Sequence, residues 1–313
     1  MRILKLVLML TVLSAVPAFA QGPPPSYSQP QLDQLVARIA LYPDPLVSQI
    51  LAGATYPDQI PDAEKWADEH HYLTGKDLAD AIQGDQLPWD PSVQALLPFP
   101  SVLEMMSRDM NWTSDLGNAF LAQQGEVMDA IQRERRKARD YGYLRSNAQI
   151  VVGGGPYITV MPANPGFVVV PYYDPGIVYF PPRPGFVVGS GIRFGFGVSL
   201  GLFFRPLGWG PGYGRFDWGR HDVFVNNARW GRTWVNRGVY AHPYEGVHRF
   251  APAERVPEHH QLEQRSDRER GAAREGRRMP EEHRGRGDEH GGDHGGDHGG
   301  DHGGDHGGDH GHR

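Results

Sequence analysis

The sequence predicts an α+β protein with an N-terminal bundle of short helices, a small antiparallel β module rich in glycine, proline and aromatic residues, and a disordered C-terminal tail. Three observations predict this order. Apolar residues recur at helical spacing up to residue 145, they alternate with a period of two after residue 149, and residues 251–313 contain seven apolar residues and no aromatic one. The 313-residue chain has no cysteine, which excludes disulfide scaffolding and any site that needs a thiolate.

Residues 1–20 have the pattern of a secretory signal peptide. Arg2 and Lys5 precede an apolar run at residues 6–16, and Ala18-Phe19-Ala20 has the small-x-small pattern of a cleavage site. The alternative is an uncleaved anchor, but the run is shorter than the roughly 20 residues that a helical membrane span needs. We therefore expect export to the periplasm or cell envelope of a bacterium. Loss of Arg2 and Lys5 would take the formal net charge from -6 to -8.

A proline-rich lead at residues 21–30 precedes the predicted helical domain, residues 31–145. Asp90 before Pro91 is a helix N-cap followed by proline at the first helical position. A long helix is expected from Thr113 toward Asp140, with Gly125 as its point of interruption. Its basic end is interpreted as a solvated helix terminus, with contact to an anionic surface as the alternative, and contains Arg133, Arg135, Arg136, Lys137 and Arg139.

The predicted β module covers residues 146–250. Short apolar runs separated by Gly- and Pro-rich turns predict strands at residues 150–152, 157–160, 167–170 and 177–180.

Within this module, residues 186–204 form a glycine-rich hydrophobic segment whose single charged residue is Arg193. Apolar residues alternate with mostly small ones over residues 192–203, which favours a strand. The alternative is a membrane helix packed through Gly191-x-x-x-Gly195 and Gly197-x-x-x-Gly201. An arginine inside such a helix costs roughly 2.5–3.5 kcal/mol. This cost favours the strand, and membrane association through the segment is kept as the alternative.

The string Gly197-Val198-Ser199-Leu200-Gly201 matches the G-x-S-x-G nucleophile elbow. That motif acts at a strand-to-helix turn of an α/β-hydrolase sheet, and no βαβ pattern precedes it here. We interpret it as a chance match. Because no other catalytic constellation is found, we expect a protein that is not an enzyme and requires no cofactor.

Residues 205–250 interleave arginine with aromatic residues, a composition suited to stacking on sugars or binding anionic polymers. The alternative is a structural role in which the arginines pack on aromatic faces inside the fold. Export argues against nucleic acid as the partner and favours an envelope polymer or an envelope protein. The candidate partner-binding residues are Arg215, Trp218, Arg220, Trp230, Arg232 and Trp234.

The tail, residues 251–313, ends in five Gly-Gly-Asp-His repeats at residues 291–310. Neutral imidazole binds Zn, Ni and Cu, and neighbouring carboxylates can assist. The alternative is a solvated low-complexity tail without a ligand. The candidate metal ligands are His290, His294, His298, His302, His306 and His310, with Asp293, Asp297, Asp301, Asp305 and Asp309.

Several motifs resemble a known bacterial family, the domain of unknown function 3300. They lie at residues 42–51, 55–57, 89–93, 99–100, 112–113, 116–124, 127–132, 162–165 and 170–175. The resemblance covers roughly residues 30–235 and implies an exported envelope protein without an assigned activity. It also implies a hydrophobic Gly-rich segment linked to membranes, which Arg193 interrupts here. We therefore expect a non-enzymatic interaction or scaffolding protein, with metal buffering through the tail as the alternative.

Overall fold

The computed structural model describes residues 22–182, 184–185, 191–195, 197–210 and 212–244. The predicted signal peptide, the predicted disordered tail and all candidate metal ligands lie outside these residues. Within them, the α+β prediction is confirmed, because a helical region is followed by small antiparallel sheets of two and three strands.

In the helical region, several helices begin where proline or a capping residue occurs in the sequence. In chain order its helices are α1 (Gln29–Val36), α2 (Asp44–Ala54), α3 (Ile60–Glu69), α4 (Gly75–Gly84), α5 (Pro91–Gln94), α6 (Pro100–Arg108), α7 (Met110–Ala122) and α8 (Gln124–Asp140). The predicted N-cap is confirmed at α5, where the Asp90 carboxylate accepts the backbone N–H of Ser92 at 2.9 Å. Asp109 caps α7 in the same way by accepting the N–H of Trp112 at 3.1 Å.

The β region consists of short antiparallel pairs. Its elements are β1 (Ile150–Gly153), β2 (Thr159–Pro162), β3 (Phe167–Val168), β4 (Pro171–Tyr173), the short helix α9 (Pro175–Val178), β5 (Ile192–Phe194), β6 (Val198–Ser199), β7 (Arg215–Asp217), β8 (Asp222–Val225) and β9 (Ala228–Arg229). The pairs are β1 with β2, β3 with β6, β4 with β5, and the three-stranded sheet β7-β8-β9.

Helices and strands share one hydrophobic core. The Trp209 ring lies 5.0 Å from Phe99 of the helical region, and its indole N–H donates to the carbonyl of Ala95 at 2.8 Å. Trp230 likewise lies 6.3 Å from Phe120 of α7. Aromatic residues of the β region therefore complete the packing of the helices.

The long helix predicted from Thr113 toward Asp140 is wrong in one respect. The chain breaks at Gln123, between α7 and α8, and not at Gly125. The Gln123 side chain binds the lead, because its oxygen accepts the N–H of Tyr27 at 2.6 Å and its nitrogen donates to the Tyr27 carbonyl at 3.3 Å. The break therefore lies where this side chain holds the lead in place.

The strand predicted at residues 177–180 is also wrong, because the chain forms α9 at Pro175–Val178. The Asp174 carboxylate accepts the N–H of Gly176 at 2.8 Å, and Pro175 occupies the first helical turn. This helix-start signal overrides the short apolar run that follows it.

Residues 192–203 do not form one strand. They divide into β5 and β6, which pair with different strands, and a 3-10 helix begins at Leu202. Ser199 lies in β6 and is exposed. In the described part of the chain, no helix combines the length and the apolar character that a membrane span requires.

Candidate binding groove

Two of the candidate partner-binding residues are core residues. Trp218 is 5% exposed and Trp230 is 2% exposed, so neither indole can stack on an external partner. Arg215 places its guanidinium 3.6 Å from the centre of the Phe224 ring, and Arg220 is exposed beside Asp217. Of these four residues, only the two arginines therefore lie on the surface.

The other two candidates hold the C-terminal strap, defined here as residues 231–244. Arg232 donates to the carbonyl and hydroxyl oxygens of Thr55, both at 2.8 Å, and stacks 3.8 Å from the centre of the Tyr56 ring. Trp234 donates its indole N–H to the carbonyl of Gly22 at 2.9 Å. The structure thus does not gather the six candidates on one exposed surface.

A buried ion pair that the sequence did not predict lies between α2 and α8. Arg135 is fully buried and contacts the Asp44 carboxylate at 2.6 Å. It also donates to the carbonyls of Ala40, Tyr42 and Ile158, at 2.7, 3.1 and 2.9 Å. Burial raises the pKa of the Asp44 carboxyl, and the charge and hydrogen bond of Arg135 oppose that rise. The pair joins α2, α8 and the β region from inside and is structural.

The interpretation of Arg135 as part of a solvated helix end is wrong. A signal for its burial exists in the sequence, because Val127, Ile131 and Arg135 recur every four residues on the buried face of α8. Arg136 is exposed, so that interpretation holds for the next residue along the helix.

An open groove lies between α1 and the start of α7. We call it the Arg38 groove. It has a volume of about 480 Å³, and its lining residues are Tyr27, Gln31, Gln34, Leu35, Ala37, Arg38, Asp109, Trp112, Asp115 and Pro175. A neighbouring cavity of about 360 Å³ shares Arg38 and Pro175 and adds Tyr42, Met105, Pro171, Tyr172 and Tyr173. The two cavities together form one aromatic and polar surface.

Arg38 lies where the two cavities join. Its guanidinium donates to the Asp109 carboxylate at 2.8 Å and lies 5.0 Å from the centre of the Trp112 ring. The Trp112 indole N–H donates to the carbonyl of Leu35 at 2.9 Å, which fixes the ring beneath the arginine. The Arg38 side chain remains 42% exposed and is therefore accessible to a ligand.

The Arg38 groove also contains two acidic side chains, Asp109 and Asp115. The backbone N–H of Trp112, and then Arg38, lower the pKa of Asp109, so this carboxylate stays ionised. Burial, and then Asp115, raise the pKa of Tyr27 to about 12, and its hydroxyl donates to Asp115 at 3.1 Å. These groups offer hydrogen-bond donors, acceptors and ring faces for binding.

The wall of the groove is fixed by two tyrosines from the β region. The hydroxyls of Tyr173 and Tyr179 both donate to the carbonyl of Ala37, at 3.0 and 2.8 Å, where α1 ends. The orphan carbonyl at a helix end is thereby satisfied. Sequence reasoning missed this groove because its residues come from three distant parts of the chain.

The metal prediction cannot be placed on the fold, because every candidate ligand lies outside the described residues. Among the residues that are described, no group of three or more His, Asp or Glu side chains is arranged to hold a metal ion.

Comparison with known proteins places the chain in a family. Residues 28–249 match a family described as "Protein of unknown function (DUF3300)". The uncharacterised protein YacH of Escherichia coli (strain K12) is 32% identical over 238 residues, which are 59% of this chain and 38% of that protein's length. The chain therefore spans less than half of this relative, and no solved structure matches it. Since the family match covers most of the chain, the protein belongs to the DUF3300 family.

Proposed function

We propose that this protein is an exported, non-enzymatic interaction protein of a bacterial envelope, and that the Arg38 groove is its main contact surface. The observation that carries the proposal is the exposed guanidinium of Arg38, held between Trp112 and Asp109 where two cavities join. Concave sites with apolar walls and a few fixed polar groups are typical of ligand binding. Export is supported by the charge, apolar run and cleavage pattern of residues 1–20.

The test compares two arginine variants in fractionated cells. Arg38→Ala removes the exposed cation of the groove, and we expect it to release the protein from washed envelope fractions. Arg220→Ala is the matched control, because Arg220 is also exposed but lies in the stretch 205–250. Release by Arg220→Ala alone would place the contact in that stretch and contradict the proposal.

Export is tested separately by the mass of the mature chain. Cleavage after Ala20 leaves Gln21 as the first residue, and its recovery from a periplasmic extract is the expected result. An intact N-terminus in a cytoplasmic fraction would contradict export.

A second contact, with the membrane surface, is proposed for residues 186–204. Leu202 is 70% exposed and Phe203 is 49% exposed, which leaves two large apolar side chains available for a shallow interfacial contact. We expect the double variant Leu202→Ser with Phe203→Ser to lose flotation with lipid vesicles, whereas Arg38→Ala keeps it. Equal flotation of the double variant and the natural protein would contradict this contact.

The alternative function is buffering of Zn, Ni or Cu through the histidine repeats. It is favoured by six histidines at four-residue spacing, each beside an acidic residue. Deletion of residues 290–313 should abolish metal uptake in equilibrium dialysis and leave the thermal transition unchanged. Uptake that persists without these residues would contradict this role for the tail.

A further inference from the structure

We propose that the Arg38 groove binds the proline-rich segment 180–185 of a second copy of this chain. This proposal rests on the proposed function, because it names the partner of the same groove. It predicts a self-association that depends on Asp115 in the groove and on the arginine of the segment.

The groove is lined by aromatic side chains, which are the residues that typically bind proline-rich segments. Tyr27, Tyr172 and Tyr173 line the two cavities together with Pro175, whereas the Trp112 ring is 7% exposed and lies beneath Arg38. Tyr172 is 53% exposed and therefore offers much of its ring to a ligand. Aromatic grooves of this kind bind polyproline II segments, which are extended before binding and lose little conformational entropy.

The charge of the groove selects among such segments. One guanidinium, Arg38, stands against two carboxylates, Asp109 and Asp115, which leaves the lining with a net charge of -1. Arg38 is already paired with Asp109 at 2.8 Å, whereas Asp115 is exposed and accepts the Tyr27 hydroxyl at 3.1 Å. Asp115 therefore favours a segment that carries a cation.

The chain contains a segment of this composition. Residues 180–185 read Phe-Pro-Pro-Arg-Pro-Gly, with three prolines, one basic residue and no acidic residue. Phe180 is 58% exposed, and Pro181, Pro182 and Pro184 are exposed as well. Arg183 lies outside the described residues and enters the argument through its charge alone. Proline fixes φ near the polyproline II value, which favours an extended backbone at Pro181 and Pro182, whereas Pro184 and Gly185 form a turn in which Gly185 has a φ of +83°.

The position of the segment in the fold favours its binding to the groove of a second copy of the chain. Pro175 lines the groove, and the Tyr179 hydroxyl is bound to the carbonyl of Ala37, another lining residue. The segment begins directly after Tyr179 and is therefore presented beside the groove of its own chain. In a two-fold pair of chains, each segment would lie across the groove of the other, which is the reciprocal arrangement of a symmetric dimer.

The experiment measures the mass of the mature full-length chain by analytical ultracentrifugation over a concentration series. Asp115→Lys reverses the charge of the groove, and Arg183→Glu reverses that of the segment. We expect each single reversal to weaken self-association by about tenfold, because like charges then face each other. The double variant, which exchanges the two charges, should recover it. Asp77→Lys, an equal reversal at an exposed position of α4, is the matched control and should leave self-association unchanged.

Two results would overturn the proposal. One is a chain that stays monomeric at every concentration, and the other is a dimer that persists equally in Asp115→Lys. In either case, release of Arg38→Ala from envelope fractions would show that the groove binds another partner. The failure of the second-copy proposal is thus distinguishable from the failure of the proposed function.

Discussion

At the scale of single residues, the buried side chains of Arg135 and His242 join distant parts of the chain through hydrogen bonds. The Nε2 atom of His242 lies 2.7 Å from the carbonyl of Val225, which can only accept a hydrogen bond, so this nitrogen carries the proton. Its Nδ1 then accepts the Tyr240 hydroxyl at 2.8 Å, and the Tyr240 oxygen accepts the N–H of Gly231 at 2.8 Å. The neutral imidazole thus uses both ring nitrogens.

Loss of Arg135 is expected to destabilise the protein strongly. Arg135→Ala leaves the Asp44 carboxylate buried without its cation, which costs about 3–5 kcal/mol when one partner of a buried pair is removed. Arg136→Ala, the matched control on the exposed side of the same helix, should change stability by less than about 0.5 kcal/mol. Urea unfolding followed by circular dichroism measures both values, and similar unfolding midpoints for the two variants would contradict the structural role of the pair.

Acid is expected to loosen the C-terminal strap through His242. Burial lowers the pKa of His242, while Val225 and Asp90 oppose the shift, and Tyr240 and Tyr244 are the other titratable groups in contact. Because the unfolded imidazole has a pKa of about 6.5, it takes up a proton first as pH falls, and stability contributed by the neutral ring is lost below that pH.

The protection factors of the strap amides against hydrogen exchange, which correct for the pH dependence of the intrinsic exchange rate, measure this effect when they are compared at about pH 7.5 and about pH 5.5. His242→Gln should remove the difference between the two pH values, and the exposed His71→Gln should retain it. A pH response that survives in His242→Gln would assign it to another group.

At the scale of elements, a close approach of α2 and α7 organises the helical region. A Cβ atom added to Gly117 of α7 would overlap the carbonyl oxygen of Ala54 and lie 2.6 Å from its carbonyl carbon. Glycine is therefore required where α7 crosses the end of α2, and this contact is one reason that most of α2 is buried.

Gly117→Ala is expected to separate these two helices. Overpacking of this kind costs typically about 1–3 kcal/mol, and a backbone neighbour leaves little room for relief. Gly84→Ala in α4 meets no atom within 4 Å and should be neutral or stabilising by up to about 1 kcal/mol. Chemical denaturation of the two variants gives the comparison, and equal effects would contradict the close crossing.

The sequence predicts a helical region followed by small antiparallel sheets, and its failures at single elements have physical reasons. Asp90-Pro91 was interpreted correctly because an N-cap and its proline are adjacent in the chain. Residues 177–180 and the break at Gln123 were missed because the Asp174 cap and the contact with Tyr27 override local apolar patterns. The Arg38 groove could not be predicted, since no local spacing links residues 27–38, 105–115 and 171–175.

At the scale of the whole molecule, three tryptophans of the stretch 205–250 belong to the interior. Trp209, Trp218 and Trp230 lie in the same core as the helices. Removal of this stretch would therefore test folding and not partner binding, which is why single variants of exposed residues are used to find the contact surface.

A chain that lacks residues 205–244 is expected to lose its cooperative thermal transition, because Phe99 and Phe120 lose their aromatic neighbours. The control is deletion of residues 251–313, whose composition predicts no packed core and which should leave the transition unchanged. Differential scanning calorimetry compares the two deletions. Retention of the full transition without residues 205–244 would mean that the helices form an independent core.

The central claim is that partners contact the Arg38 groove. The most direct measurement is site-specific photo-cross-linking in intact cells, with the probe at Gln34, an exposed residue that lines the groove. The same probe at Gln83, an exposed glutamine of α4, is the matched control. The account predicts a discrete cross-linked product from position 34 that Arg38→Ala removes, and none from position 83. No product from position 34, or equal products from both positions, would contradict it.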